Sequence, residues 1–505
     1  MRARAASAAL RRGSDAKPRL VMKIADRSGR REAITAEKES ARKGTAPSRS
    51  AGGSDRWLLT FVLLEISCQL LLALGGGDQP VRIAVRALAI GAGLAFIFLV
   101  PGAARRLSVL PWFVGTVTVL AVSLFHPETE GFASGLAQAL LYVSIMSPLL
   151  WVPRLPIKPK TLERTMGIFW AFHFASTGIG ILQVMFPGSF QTALSSSVAA
   201  AGEGPLQALM LTLNDGTRIF RPMGLTDTPG AASASGMYAV IFGAAFLTRS
   251  KHLWTRALFT LSMLAGVACI ALCQIRALAV VVAIAIITLG LLLLRARRFR
   301  QLLVITVTVG VAVVAGAALS FTVASEQVQS RFEAFLEDRP EEIYRSNRGV
   351  FLDQTLTEYI PEYPLGAGLG RWGMMYYYFG GDDIARPPLY AELQVTGWIF
   401  DGGLPLLVMY GGLLFATLWG VYRAMLDSHD PQLTTWAIFI LSYDVGLVGL
   451  VFSYPLFVGQ LGLEFWLFNA ALLTAAGVTG SETRQLSPGH TGSGGRTVAL
   501  WARKL

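Results

Sequence analysis

The chain has 505 residues, 53% of them hydrophobic and only 15% charged, where a soluble domain of ordinary make-up carries about 25% charged residues. That balance excludes a water-soluble globular protein. Apolar runs of the roughly 20 residues needed to cross a bilayer core make the expected class all-α, a polytopic membrane helical bundle. No period-2 alternation supports a β-barrel. The net charge of +12 gathers on a tail and short loops instead of a folded soluble surface, which argues against nucleic acid as a partner.

Residues 1–56 are basic and poor in aromatics, with Arg2, Arg4, Arg11, Arg12 and Lys17 at the start. They are expected to be a disordered cytoplasmic tail that can touch anionic lipid, because no apolar h-region of a signal peptide lies near the start. Nine spans are expected over residues 57–323: Trp57–Leu74, Ile83–Val100, Val109–Phe125, Phe132–Val152, Met166–Phe186, Ala231–Leu247, Ala257–Cys273, Ala277–Leu294 and Leu302–Val323. A long polar loop follows at 324–401, and three more spans (Gly403–Val421, Thr434–Phe452 and Phe457–Val478) occupy 402–479. Residues 480–505 form a polar tail.

Twelve spans put both termini on one side. The tail and the loops near Arg105, Lys158, Lys251 and Arg297 are basic, whereas the loop His126–Glu130 is acidic. Every lysine falls on the same side of this alternation, so the positive-inside rule places that side, and both termini, in the cytoplasm. Three polar features then share the outer face: residues 187–230, the corner at Arg276, and the loop at 324–401.

On that face the cations are arginines: Arg218, Arg221, Arg276, and in the long loop Arg331, Arg339, Arg345, Arg348, Arg371 and Arg386. Arginine offers a planar fork that matches phosphate and carboxylate oxygens and stays charged at any working pH. The pattern fits a phosphorylated or acidic ligand; pairing with Glu333, Glu337, Asp338, Glu341 and Glu342 is the structural alternative. Arg276 opens a wholly apolar span, so it either faces a cavity or partner or snorkels to the interface. Arg221-Pro222-Met223-Gly224, with Asp227 and Pro229 after it, shapes an irregular backbone just before the sixth span.

Pro364-Leu365-Gly366-Ala367-Gly368-Leu369-Gly370 reads as a tight turn whose glycines let a ligand approach the backbone. It lacks the βαβ context of a dinucleotide fingerprint and there is no Walker lysine, so neither a nucleotide nor another cofactor is implied. No two histidines share a helical turn, and Cys68, Cys269 and Cys273 lack further ligands at zinc spacing, so no metal site is expected and the cysteines read as packing residues. A general base on this face must be a carboxylate. Glu392, in an apolar patch where the long loop returns to the membrane, is the candidate, with Asp401 close after it; a salt bridge to a nearby arginine is the alternative. Tyr376, Tyr377 and Tyr378 either stack on sugar rings or anchor at the interface.

Arg221-x-x-Gly224 before a span, Arg276 opening a span, and a long outer loop with the Pro364–Gly370 turn together resemble the O-antigen ligase and polysaccharide polymerase family. The resemblance covers roughly residues 215–420. Asn347-Arg348-Gly349-Val350-Phe351 matches the start of the family's loop helix, with Phe351 in place of Trp, and Asp401-Gly402-Gly403-Leu404 matches the opening of the next span. Glu392 and Leu393 stand where the family has His and Asn, a departure that favours a polymerase over a ligase.

The resemblance implies inverting, metal-independent glycosyl transfer on the periplasmic face of a bacterial inner membrane. The donor would be an undecaprenyl-pyrophosphate-linked oligosaccharide and the acceptor a glycan or lipid, with other polysaccharide assembly proteins as possible partners. Arg221 and Arg276 would bind the pyrophosphate and Glu392 would activate the acceptor hydroxyl. Arg348, Arg371, Gly368 and Tyr377 complete the expected substrate-binding set. The competing expectation is a lipid-linked glycan flippase or exporter; against it stand the absence of an internal repeat and charged residues that concentrate in loops instead of spans.

Overall fold

The computed structural model describes residues 54–74, 79–129, 131–186, 190, 210–212, 218–226, 228, 230–273, 275–323, 344–379 and 388–485. Most of the two tails, Asp227, Pro229, Arg331, Arg339, Arg386 and the acids between Glu333 and Glu342 lie outside the described residues.

The fold is all-α, and among the described residues ten helices are long and apolar enough to cross a membrane, or eleven if the bent pair at Pro148 is one span. In chain order the helices are α1 (Ser54–Leu74), α2 (Gln79–Leu99), α3 (Leu110–Ser123), α4 (Phe132–Met146), the short α5 (Pro148–Trp151), α6 (Pro159–Met185), α7 (Ala231–Arg249), α8 (Leu253–Cys273), α9 (Arg276–Arg295), α10 (Phe299–Val323), α11 (345–362), α12 (Gly373–Phe379), α13 (Gln394–Asp427), α14 (Pro431–Gly449) and α15 (Gln460–Gln485). The chain is a multi-pass membrane protein, and each of the twelve expected spans coincides with a helix.

Two spans depart from the simple expectation. α3 has 14 residues, a length of about 21 Å at 1.5 Å per residue, well short of the roughly 30 Å of a hydrocarbon core. The span expected at Phe132–Val152 is bent by 48° where α4 meets Pro148. Proline supplies no N–H and crowds the preceding turn, so the helix breaks there.

Burial sorts the helices into layers. The apolar windows of α7, α14 and α15 are 83%, 78% and 78% buried, whereas that of α10 is 17% buried. α7 is central because small residues let its neighbours approach: a Cβ on Gly236 would lie 2.8 Å from the Gly266 carbonyl of α8. Between apolar lipid and apolar helix, such close backbone packing is what drives association. Cys269 and Cys273 are free thiols on the α8 flank of this contact, with sulfurs 3.7 Å apart.

One end of the bundle is basic and knit by polar contacts. Arg249 pairs with Glu163 at 3.0 Å, Gln432 donates to Glu163 at 2.5 Å, and Arg154 donates to the Ile97 carbonyl at 2.5 Å. The opposite end carries the long loop. There the segment before Arg221 forms a two-stranded antiparallel hairpin, β1 (Met210–Thr212) and β2 (Arg218–Phe220), with Met210 opposite Phe220. The hairpin was not expected from sequence, where the alternation is only three residues long on each side.

Candidate functional site

The glycine turn organises the loop end. Gly366, Gly368 and Gly370 have φ of +106°, +93° and +77°, a region open to glycine and costly to other residues. Ala367 donates its amide to the Phe400 carbonyl at 2.7 Å, and Leu404 donates to that of Pro364 at 2.9 Å. These bonds hook the turn into α13 where Gly403, at φ +64°, interrupts the helix. A Cβ on Gly368 would sit 2.4 Å from the Glu128 and Thr129 backbone, and one on Gly370 would meet Ser134. The chain's own backbone fills the space a side chain would need at Gly368 and Gly370, which accounts for glycine there by packing.

Two further expected residues belong to the same clasp. Arg371 is buried, donates to the Ala367 carbonyl at 3.2 Å and faces Glu128 at 3.5 Å. Asp401 is wholly enclosed and accepts from Tyr142 at 2.8 Å and from Gln138 at 3.0 Å. Asp401 thus ties α4 to α13, closed off from any acceptor.

A second cluster at this end has the opposite character. α11 is a helical rod in which π-turns at Arg345–Gly349 and Thr355–Tyr359 alternate with α-turns. Such wide turns are rare and recur at functional sites. Thr355 on α11 meets Thr396 on α13 at 2.6 Å, fixing the rod on the bundle. The first π-turn presents Arg348, which forms an ion pair with Glu392; their side chains are 36% and 20% exposed. Tyr390 donates its hydroxyl to the other Glu392 oxygen, and the Phe351 ring meets Tyr390 edge to face at 6.0 Å.

Burial pulls the Arg348 pKa down from the usual arginine range; Tyr390 opposes that, and the positive charge of Arg221 adds to it. Arg221 and Arg348, far apart in sequence, therefore share one electrostatic environment. Among the described residues, two guanidiniums and one carboxylate leave a net positive, partly open group suited to a phosphate or carboxylate oxygen. The salt-bridge alternative for Glu392 is what this structure has, with both carboxylate oxygens occupied.

Arg276 opens α9 at the same end and is half-buried. The preceding Ile275 packs against Gly230, the turn that starts α7, so the segment after Arg221 and the start of α9 are neighbours. Tyr377 is exposed and lies edge to face on Tyr378, whose hydroxyl accepts from Arg86 at 3.0 Å. The structure thus pairs Arg348 with Glu392, puts Arg221 within electrostatic reach of Arg348, places Arg371 and Gly368 in the clasp, and leaves Tyr377 on the surface.

Sequence reasoning missed three further acids. Glu65 in α1, Asp444 in α14 and Glu464 in α15 are all at most 3% exposed within spans. Charge was expected to concentrate in loops instead of spans; these acids are the exceptions. A lone acid in an apolar run was the available signal, since such a residue is costly in a membrane and persists where it faces a partner or a pathway. Among the described residues no cluster of three or more His, Cys, Asp or Glu has the arrangement of a metal site.

Compared with known proteins, the chain matches no family model and no curated relative.

Proposed function

We propose that the chain is a glycosyltransferase of a bacterial inner membrane. It would polymerise, in preference to ligating, glycan units from an undecaprenyl-pyrophosphate donor on the face opposite the basic loops. The observation that carries this reading is the partly open Arg348–Glu392 ion pair, with Arg221 within electrostatic reach of Arg348. The diphosphate competes with Glu392 for Arg348. When it binds, Arg348 turns to the phosphate oxygens and Glu392 is released as a base.

The acceptor hydroxyl oxygen then attacks the anomeric carbon from the face opposite the leaving group. The carbon–oxygen bond to phosphate breaks, the diphosphate leaves with the electron pair, and the hydroxyl proton passes to Glu392. Arg221, Arg276 and Arg348 stabilise the charge that builds on the leaving oxygen. Basic residues at the far end of the bundle support placing that end in the cytoplasm.

The test is reconstitution of the purified protein with lipid-linked oligosaccharide and no added metal or nucleotide. Chain growth is expected from the unaltered protein and absent from Arg348→Ala and Glu392→Gln. Growth unchanged in both variants would overturn the site. The buried acids of the spans favour a second reading, a lipid-linked glycan flippase or exporter. The two separate in cells: units accumulate outside when a transferase is inactivated and inside when a flippase is.

A further inference from the structure

At the basic end of the bundle, the turn between α9 and α10 carries Arg295, Arg297, Arg298 and Arg300 and no acid. Backbone bonds close it: Arg297 donates its amide to the Leu294 carbonyl at 3.0 Å, and Arg298 donates to that of Leu293 at 2.9 Å. This is the pattern of a helix that ends in a left-handed residue, a place usually held by glycine. Here it is held by Arg297 at φ +55°, the one non-glycine with positive φ among the described residues. Strain of this kind persists where the surroundings enforce it and gathers at sites of function. Glycine would relieve it and remove an exposed cation.

Arg298 is half-buried. Its guanidinium donates to the Gln301 side chain at 3.5 Å, to the Thr435 hydroxyl at 2.5 Å and to the Pro431 carbonyl at 3.3 Å. All three acceptors are neutral, and they occupy three of the five donors of the fork. Burial lowers the Arg298 pKa from the usual arginine range, and the positive charge of Arg249 on α7 adds to it. The acids nearby are engaged elsewhere. Glu163 of α6 takes Arg249 and Gln432, and Asp430, before α14, accepts from the Gln432 amide at 2.7 Å. Arg298 is thus a cation facing a second cation, with no acid partner among the described residues.

Between Arg298 and Arg300 the chemistry changes. Phe299 starts an apolar stripe along α10 with Leu303, Val307, Val311 and Val314, each more than half exposed. Steps of three or four residues keep the stripe on one helix face. The apolar window of α10 is only 17% buried, so that face meets hydrocarbon. Cations at the membrane edge above an apolar stripe match one molecule with an anionic head and an acyl chain.

We propose that the α9–α10 turn binds the phosphate of an anionic phospholipid through Arg297, Arg298 and Arg300, with an acyl chain along the α10 stripe. The unused donors of Arg298 take phosphate oxygens, and the phosphate offsets the repulsion from Arg249. The stripe would accept any lipid; the cations select, because a zwitterionic headgroup brings its own positive charge. The site does not depend on the glycosyl-transfer reading and lies at the end of the bundle opposite Arg348 and Glu392.

The experiment is native mass spectrometry of the purified, delipidated full chain in detergent, titrated with phosphatidylglycerol or with phosphatidylcholine. The first phosphatidylglycerol adduct is expected at an apparent Kd about tenfold or more below that of phosphatidylcholine. Arg297→Gly, Arg298→Gln and Arg300→Gln should each weaken that adduct about fivefold, the scale of one cation near an anionic lipid surface. Arg106→Gln removes another exposed charge and should leave the adduct unchanged. Arg297→Gly decides the matter even if Arg298→Gln fails to fold, because glycine accepts the left-handed turn. Equal binding of the two lipids, or an equal loss in Arg106→Gln, would reduce the site to diffuse attraction and overturn the proposal. Displacement of the lipid by excess inorganic phosphate would overturn it in favour of a soluble anion. A dimer in place of the lipid adduct would overturn it by giving the stripe to a second copy.

Discussion

The glycine clasp and the Arg348–Glu392 pair come from one loop and sit at one end of the bundle, yet they are built on opposite rules. The clasp is closed: Ala367, Leu369 and Trp372 are at most 3% exposed, and its backbone bonds run to α13 and to the Thr129 side chain. The pair is open, joined by one exchangeable ion contact and sharing its field with Arg221. Structure needs groups that have already found their partners, whereas chemistry needs groups that can let go. Substitution in the clasp should therefore act on stability, and substitution in the pair on activity.

The largest effect is expected where the clasp meets the kink in α13. Gly403 has φ +64°, and a Cβ there would lie 2.2 Å from the Pro364 carbonyl. Left-handed strain and overpacking each cost roughly 1–3 kcal/mol, so Gly403→Ala should destabilise by about 4 kcal/mol. Gly373 is the control: its φ is +67° but nothing lies within 4 Å of the added carbon. Gly373→Ala should cost about 1 kcal/mol. Thermal unfolding of the solubilised protein reads both, and equal losses would mean that the clasp is not tightly packed.

Next comes the pair. Arg348→Ala should slow glycan chain growth by about 10² to 10³-fold, the scale of losing one charge-stabilising donor. Its melting temperature should hardly move, because partly exposed ion pairs contribute only about 0–1 kcal/mol. Arg348→Lys should recover little, since a point charge does not replace the fork. A melting temperature that falls as far as in Gly403→Ala would move Arg348 into the architecture and end the comparison.

A smaller effect is expected at the floor of the clasp. Asp401→Ala leaves Gln138 and Tyr142 without their acceptor, and an orphaned buried polar group costs roughly 1–3 kcal/mol. The loss should be shared by Gln138→Ala, and the double variant should be less than additive because the two residues form one contact.

The helices were readable because hydropathy over some twenty residues is a strong signal, and each expected span found its helix. The start of α13 was not, because Gln394 and Thr396 are polar and Gly397 is a poor helix former. Those residues turn inward: Gln394 accepts from the Phe457 amide at 2.7 Å and Trp372 lies on Gly397. The glycine turn could be found but its purpose could not, since the same string suits a ligand or a second backbone. Arg221 and Arg348 were each visible, while their shared field depends on how α11 lies against the bundle. Glu65 and Glu464 were visible as letters, but what they face depends on how the helices pack together.

Tyr377 gives the smallest effect and tests the boundary between the two regions. It is 62% exposed, so Tyr377→Ala should change stability by less than about 0.5 kcal/mol. If its ring stacks on the donor or acceptor sugar, the substitution should raise KM roughly three- to tenfold at constant kcat, the range of an aromatic contact. Tyr377→Phe keeps the ring and should behave as the unaltered protein. If KM is unchanged in both variants, the ring is a membrane anchor, and the working surface of the loop narrows to the arginines and Glu392.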